Sequence, residues 1–454
     1  MLTFLRKKMK GVLIVVAFVF VASIFLGATM GRGTGGQKPS DALAKVNGQK
    51  LDPLRYREIL NRLIGRFGQD KLTISDIPFI QSLALEQAVD FNLMLKEAKK
   101  KVRISGREVD MAIDSIITQQ KLKSRADLEL ALKRTGLTMS QFKNMIKEEM
   151  LVQKMANKIR SNVVVGPNDL REIRASHILV STEAGAKELL AKITAGEDFS
   201  ALAKKYSQDT GSAANGGDLG YFATGSMVEP FEKAAFNTKV GEISGIVKSP
   251  FGYHLIKVGD SRLRTFKGEE QDIEQAALKQ KQASAFTKWS SELRNKAKIE
   301  IVQPELKAHS LRFKGRFFEA AQEYKKALVQ NPVSPYLHVF LGDTFAAIGK
   351  KDLAVTEYEA AISLQGGNPE LYMLLAQFYE KDGDNKKAIK QYTRVSLLAG
   401  DNKALHERLR DKFKELKATA EYQTELKEIK RIEKKEAFEA ELKGEEGESN
   451  TVAQ

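Results

Sequence analysis

Residues 301 to 402 repeat with a period of 34, and this repeat constrains the fold more than any other feature of the sequence. The positions that match in three copies hold small, aromatic or other apolar residues: Ala308, Gly342 and Ala376; Leu311, Phe345 and Tyr379; Gly315, Gly349 and Gly383; Ala320, Ala354 and Ala388; Tyr324, Tyr358 and Tyr392. Small residues let two helices approach closely, glycine fits the turn between them, and aromatic side chains fill the interface. The segment is therefore predicted to be a stack of three helical hairpins.

A period of 34 with these residues is the tetratricopeptide pattern, which builds an α-solenoid with a concave binding surface. Such a surface predicts an unknown protein partner for the repeats. The helical stretch 403–443 is expected to cap the stack, because Leu409, Phe413 and Leu416 can cover its last apolar face. The glycine- and glutamate-rich end, 444–454, is predicted to be disordered.

The N-terminus predicts a membrane anchor. Residues 11–31 carry no charge, and at about 1.5 Å per residue such a helix roughly spans a bilayer's hydrocarbon core. Arg6, Lys7, Lys8 and Lys10 precede it, so the positive-inside rule keeps residues 1–10 in the cytoplasm and puts the rest outside. A cleaved signal peptide is the alternative, but its apolar region is usually shorter and the cleavage site here is poor. Residues 32–41 are predicted to be a flexible tether.

The region from 42 to 171 has a helical pattern. The stretch LAKVNGQKL (43–51) can form a short strand and turn, and periodic apolar stretches follow it. Ser105 with Glu108, and Thr138 with Gln141, have the spacing of capping boxes at helix starts. Its methionine-rich stretches suit adaptable binding surfaces, although most of these residues are expected to pack in the core.

Between 172 and 262 the apolar period changes. The runs REIRASHILV, SGIVKS and YHLIKV predict short strands, and AGAKELLAKITAG and DFSALAKKYS predict short helices. The result is an α+β unit with the order β-α-α-β-α-β-β. The following segment, 263–300, contains the single tryptophan, Trp289, and is predicted to be a long amphipathic helix that completes the helical region of 42–171.

Two of the five histidines lie in strand-like runs of the α+β unit. Alternation places His177 on one face with Leu179, and His254 on one face with Ile256 and Val258. A histidine on an apolar face is usually a core residue. Here, however, the two histidines frame NGGDLGYFATGSMVEPFEKAAFN (215–237), which places several large apolar side chains around glycine turns.

These stretches resemble the parvulin-type peptidyl-prolyl isomerases. ASHILV, DFSALAKKYSQDTGSAANGGDLGYF, MVEPFEKAAF and SPFGYHLIKV match that family in order and spacing over essentially all of 172–260. The resemblance implies a pocket for the substrate proline ring, with a hydrogen-bonded histidine pair beneath it. The implied pocket residues are Leu219, Met227 and Phe231, with Phe222 in support, and the implied polar residues are His177, His254, Asp209 and Ser249. Asp209 falls at a position where members of that family carry Cys or Asp, and Thr210 is the alternative residue for this position. Phe251 stands where other members carry a polar residue at the rim of the pocket.

The resemblance also bears on substrates. Phospho-specific members carry a basic loop between the first strand and the first helix, whereas STEAGA (181–186) has no Arg or Lys to pair a phosphate dianion. The helical region, with its early VNGQ and the later return helix, resembles the chaperone module of bacterial envelope foldases of the SurA and PpiD type. The anchor favours the PpiD-like arrangement, in which the bulk of the chain lies on the periplasmic side of the inner membrane.

Composition excludes several other functions. The chain has no cysteine, so thiol catalysis and cysteine-based zinc sites are excluded. Its net charge of +15 is spread among acidic residues without a basic-aromatic motif, so nucleic acid is not an expected partner. No metal or cofactor is expected, and no nucleophile elbow or triad spacing suggests a hydrolase.

The expected protein is therefore multidomain and mostly α-helical, with a transmembrane helix, a helical chaperone module, an α+β parvulin domain and a C-terminal tetratricopeptide solenoid. Its expected function is that of a foldase, which isomerises X-Pro bonds of unfolded envelope proteins and holds these clients. The alternative is a weakly catalytic holdase or assembly scaffold, whose parvulin domain binds peptides and whose repeats dock partners.

Overall fold

The computed structural model describes residues 42–68, 72–264 and 273–449. The predicted anchor and tether, 1–41, lie outside these ranges, as do residues 450–454. Within the described ranges no helix combines the length and the apolar character needed to span a bilayer. The described chain is mostly helical, as predicted.

The helical region of 42–171 begins with a two-stranded hairpin. Strand β1 (Ala44–Val46) pairs antiparallel with β2 (Gln49–Lys50). The helices that follow are α1 (Pro53–Phe67), α2 (Ile77–Lys101), α3 (Gly106–Gln119), α4 (Arg125–Arg134) and α5 (Met139–Ser161). Both predicted capping boxes are present: Ser105 N–H donates to Glu108 at 2.7 Å, and Thr138 N–H donates to Gln141 at 2.9 Å.

The α+β unit has the predicted order of strands and helices. Its elements are β3 (Arg171–Val180), α6 (Glu183–Thr194), α7 (Phe199–Tyr206), β4 (Asp218–Ala223), α8 (Glu229–Asn237), β5 (Val247–Ser249) and β6 (Gly252–Leu263). The four strands form an antiparallel sheet in the order β4-β3-β6-β5. In the β3–β6 register, Arg171 lies opposite Leu263 and Leu179 opposite His254. The first and last residues of the unit are therefore cross-strand neighbours.

The segment after the α+β unit returns to the N-terminal hairpin. It consists of α9 (Ile273–Asn295) and a short strand, β7 (Ile299–Ile301), which pairs with β1 in the three-stranded sheet β2-β1-β7. The sequence predicted only a helix here, because three residues are too few to show strand alternation. Helix α9 is held by Lys281, whose ammonium contacts Asp169 at 2.6 Å, and by Gln282, which donates to the Arg160 carbonyl at 3.2 Å.

The predicted repeats form paired helices: α10 (Pro304–Phe313), α11 (Phe317–Gln330), α12 (Pro335–Ala347), α13 (Lys351–Leu364), α14 (Pro369–Lys381) and α15 (Asn385–Leu398). The aromatic positions of the repeat are buried, with Tyr324 and Tyr392 fully enclosed. Gly315, Gly349 and Gly383 have φ of 73°, 75° and 85°. These turns favour glycine because the left-handed conformation costs more free energy for other residues.

A fourth hairpin follows the three repeats. Helix α16 (Lys403–Glu415) pairs with α17 (Thr419–Ser449), and Lys417 takes the left-handed turn position (φ 57°), 34 residues after Gly383. Leu409 and Phe413 are buried, so α16 covers the end of the stack. The prediction of disorder from 444 onward was wrong for 444–449, which continue α17. Glutamate and lysine are good helix formers, and two glycines at about 1 kcal/mol each do not end a helix this long.

Candidate active site

The two histidines of the α+β unit lie side by side on neighbouring strands. His177 is on β3 and His254 on β6, with rings 5.5 Å apart and nearly parallel. Their Nδ1 atoms are 3.2 Å apart. Both side chains are buried, so each ring nitrogen needs a partner within the protein.

Asp209 and Ser249 supply the outer partners of this pair. The Nε2 atom of His177 lies 2.7 Å from Asp209 Oδ2, and the Nε2 atom of His254 lies 2.6 Å from Ser249 Oγ. Because a carboxylate can only accept, His177 donates from Nε2, and in its neutral tautomer Nδ1 then accepts. In this arrangement His254 donates from Nδ1, and its Nε2 accepts a hydrogen bond from the Ser249 hydroxyl. The hydrogen bonds then run in one direction, from Ser249 to Asp209.

The electrostatics of the site favour a neutral His254. Burial, with the neighbouring His177, lowers the pKa of His254 from 6.5 to about 4, although the Asp209 carboxylate opposes the shift. Hydrogen bonds from Ser212 and His177 hold the pKa of Asp209 below its usual value, so this residue is ionised. The hydrogen-bonded row from Ser249 through His254 and His177 to Asp209 therefore ends in one negative charge at neutral pH.

An apolar wall stands against the histidine pair. Phe231 presents its ring at a steep angle to both imidazoles, with centroids 5.5 Å from His177 and 5.2 Å from His254. Phe222 lies behind it at 6.2 Å. Both phenylalanines are buried, whereas Leu219 and Met227 are partly buried against the same cluster. Of these four residues, Leu219 and Met227 therefore keep exposed apolar surface for a ligand. Phe231 packs against the side of the histidine pair.

Glycines bring the turn before β4 against β3. Gly217 accepts a hydrogen bond from the His177 N–H at 2.8 Å, and a Cβ atom on Gly217 would lie 2.2 Å from the His177 carbonyl oxygen. Its φ of 81° is also in the left-handed region. The Asn-Gly-Gly stretch that the sequence marked as a turn is therefore needed for close approach of the backbone to the histidine strand.

The loop after α7 contains site residues that sequence analysis missed. The Ser212 hydroxyl donates to Asp209 Oδ2, and the Gly211 N–H donates to Oδ1 at 3.2 Å. Ser212 is buried, and its partner atom also accepts from His177. The Asp-x-Gly-Ser spacing could have suggested this turn, since Asp side chains commonly accept from the backbone two residues on. Thr210, the alternative to Asp209, is exposed.

The rim of the site includes the hairpin between β5 and β6. Ser249 Oγ accepts from the Phe251 N–H at 3.0 Å while its own hydrogen points to His254. The Phe251 side chain is 68% exposed. The rim therefore presents an apolar ring, and the hydrogen bond to Ser249 comes from the Phe251 backbone.

The neutral state of His254 predicts a dependence of stability on pH. Because its pKa is lower in the folded chain, the unfolded chain takes up the proton first as the pH falls. The α+β unit should therefore lose stability between pH 6.5 and about 4. Hydrogen exchange of β3 and β6 amides measures the opening free energy across this range. His254→Gln should flatten the slope, and the matched His338→Gln in the repeats should not; equal slopes in all three proteins would contradict the assignment.

Comparisons with known proteins identify the domains of this chain. A family model described as a PPIC-type PPIASE domain matches residues 164–262, one for a SurA-like N-terminal domain matches 1–156, and one for the tetratricopeptide repeat matches 306–369 and 342–402. The predicted parvulin, chaperone-module and repeat resemblances are thus confirmed.

Curated relatives carry the name foldase protein PrsA. The protein from Caldanaerobacter subterraneus is 30% identical over 307 residues, which cover 62% of this chain and 94% of the relative. That from Geobacillus kaustophilus is 42% identical over 185 residues, covering 39% and 63%. A crystal structure of PrsA from Bacillus anthracis, at 33% identity and a TM-score of 0.28, covers 47% of this chain and 96% of that one. With a relative matched over nearly its whole length and the isomerase and SurA-like models both present, this chain belongs to the PrsA foldase family.

Proposed function

We propose that this PrsA-family peptidyl-prolyl isomerase and chaperone acts on unphosphorylated X-Pro bonds of unfolded envelope proteins, through the site built around His177 and His254. The observation that carries the proposal is the hydrogen-bonded row from Ser249 through the two histidines to Asp209, which lies beside an apolar wall. Such a site holds a proline ring and presents polar groups to a turning carbonyl, without a nucleophile.

Rotation about a peptide bond needs no covalent step. The barrier of about 18–20 kcal/mol falls when the bond loses its resonance, and a rate increase of about 10⁴ requires only about 5.5 kcal/mol of preferential binding to the twisted state. In the proposal, Leu219 and Met227 contact the proline ring, Phe231 and Phe222 support them, and the polar row interacts with the rotating carbonyl. Uncatalysed isomerisation takes tens to hundreds of seconds, which is slow enough to limit folding.

The preference for unphosphorylated substrates rests on the connection between β3 and α6. It consists of Ser181 and Thr182, and the first helical residue, Glu183, is an acid paired with Lys187 at 2.7 Å. Thr182 caps the helix by accepting from the Gly185 N–H at 3.1 Å. The connection itself contains no cation. A phosphate dianion near it would therefore lie close to the Glu183 carboxylate without a positive charge from the connection.

An isomerisation assay with paired peptides tests the function. The protein comprising residues 42–454 should isomerise Ser-Pro peptides with a kcat/KM at least about 10-fold above that for phosphoserine-Pro, equivalent to about 1.4 kcal/mol. Ser181→Arg, which leaves the Thr182 cap intact, should narrow the difference by adding a cation. No catalysis of either peptide would contradict the proposed site, and preference for the phosphopeptide would contradict the substrate class.

We further propose that the chain works outside the cytoplasm, on the membrane, held by residues 11–31. The support is the uncharged run with its preceding cations. A reporter fused to the C-terminus should be active only outside the cytoplasm, and the protein should stay with membranes after a salt wash. Release by salt would contradict the anchor.

The tetratricopeptide repeats are proposed to bind a protein partner. The support is the stacking of paired helices, since such stacks present an extended surface formed by neighbouring hairpins.

A further inference from the structure

The segment that leads into α2, residues 73–77, forms a short closed turn, which we call the projection. Residues Ile74–Asp76 form a single 3₁₀ turn, and Thr73 donates to Asp76 Oδ2 from both its N–H, at 2.9 Å, and its hydroxyl, at 2.7 Å. This closed turn fixes the direction of the two residues between Thr73 and Asp76, namely Ile74 and Ser75. Neither residue belongs to the site described above.

The projection lies on the tetratricopeptide stack. The Ile74 N–H donates to Glu370 Oε1 on α14 at 3.0 Å, and the Ser75 hydroxyl donates to Asp343 Oδ2 on α12 at 3.1 Å. The Ile74 side chain is 5% exposed and belongs to the apolar core of the repeats. One apolar side chain, one backbone amide and one hydroxyl are thus received by two neighbouring hairpins.

One of the receiving groups, Asp343, is held in place by other side chains. Asp343 accepts from the Tyr358 hydroxyl at 2.7 Å and from Arg312 at 3.1 Å, in addition to Ser75. Its position is therefore set by α10 and α13 as well as by its own helix. A positioned acceptor favours binding of a peptide turn that offers a backbone N–H and a hydroxyl, because less free energy is lost in ordering the receiving groups.

The positions equivalent to Asp343 in the next two hairpins line a cavity, and the surface from Asp343 to this cavity is called the groove below. A cavity of about 190 Å³ lies between α14 and α16, lined in part by Met373, Gln377, Arg408 and Lys412. Gln377 follows Asp343 by one repeat of 34 residues, and Asp411, also in the lining, follows Gln377 by another. A ligand longer than residues 73–77 would therefore find further polar groups at the equivalent positions.

We propose that residues 73–77 are an internal ligand of the tetratricopeptide groove, and that the partner of the repeats is a peptide of the same chemistry that adopts the same turn. This partner carries a β-branched apolar residue followed by a hydroxyl residue, and it must displace the internal segment. The inference rests on the proposed partner-binding role of the repeats. Because the segment leads directly into α2, its displacement is expected to loosen the start of this helix from the repeats.

Cysteine cross-linking tests whether the segment is docked. The natural chain has no cysteine, so Ser75→Cys with Asp343→Cys can be joined selectively by a short bismaleimide. Cross-linking is expected in most molecules, and Ser75→Cys with the exposed Ser363→Cys on α13 is the matched control. Equal cross-linking in the two pairs would overturn the docking.

A peptide titration tests whether the groove accepts an outside ligand. The labelled peptide DKLTISDIPF, which is the sequence of residues 70–79, should bind the full chain with Ile74→Asp at least about 10-fold more tightly than the natural chain, because an occupied site lowers the apparent affinity. Ser75→Ala is the milder variant and should give an intermediate gain. A peptide with Asp in place of its Ile should bind neither protein.

The outcomes separate this inference from the isomerase function. Equal affinity for natural and Ile74→Asp chains, or no binding to either, would overturn the internal ligand. X-Pro isomerisation measured on the same preparations should be unchanged, since none of the substituted residues lies in the α+β unit. If the natural chain shows no isomerisation, the proposed function is contradicted, but the peptide titration of the groove remains interpretable.

Discussion

Replacing Phe231 by alanine is expected to lower kcat/KM for an X-Pro peptide at least about 100-fold, which corresponds to about 2.7 kcal/mol of lost transition-state binding. Within the described residues, the Phe231 ring packs against both His177 and His254. Its removal lets the imidazoles tilt and admits water beside them. The polar row would then lose both its alignment and its dry surroundings, in which hydrogen bonds are strongest.

The control for this experiment must separate catalysis from stability. Phe→Ala in a core costs about 3–5 kcal/mol, so both variants need to be assayed well below their unfolding temperature. Phe236→Ala is the matched change: Phe236 is equally buried, and its ring neighbours are Phe222 and the Arg171 guanidinium. It should lose comparable stability with most activity retained. An equal loss of activity per folded molecule in both variants would show that Phe231 acts only through the fold.

The histidine pair could be predicted from sequence because strand alternation is local. His177 and His254 lie in β-branched runs whose faces are set by a period of two, and the family resemblance implied that the strands are neighbours. The direction of the hydrogen bonds could not be predicted in the same way. It depends on which nitrogen meets the Asp209 carboxylate, and that is decided by the loop holding Gly211 and Ser212.

The repeats show the same division between local and distant information. Their helices follow from a 34-residue period, and Tyr324 and Tyr392 are buried as this period predicts. The fourth hairpin escaped detection because Lys417 occupies the turn position at which the other repeats have glycine. Docking of Ile74 on Glu370 and of Ser75 on Asp343 escaped it too, since these contacts join residues 296 and 268 positions apart and leave no periodic pattern.

Excision of the α+β unit is expected to abolish isomerase activity and leave chaperone activity. Arg171 and Leu263 are cross-strand partners, and the Arg264 N–H donates to the Leu170 carbonyl at 3.1 Å. Partners in an antiparallel pair lie about 4.5–5.5 Å apart, so a short Gly/Ser linker can replace 172–262 without moving either end. The contacts of α9 with Asp169 and Arg160 remain, as does pairing of β7 with β1. The linker variant should still suppress aggregation of an unfolded client.

Deletion of α9 is the matched change that should have the opposite effect. Ala276 and Ala277 are buried in this helix, and Ile273, Phe286, Trp289 and Leu293 are partly buried. Removing residues 273–295 exposes the surfaces that they cover, including the face of Arg160 over Phe286, and should weaken suppression of aggregation while the isomerase site stays intact. If the linker variant aggregates and the α9-deleted chain protects, the helical region is not completed by the return segment. If neither the full chain nor the linker variant protects, the region has no holding activity towards that client, and the contribution of this protein to its folding is isomerisation alone.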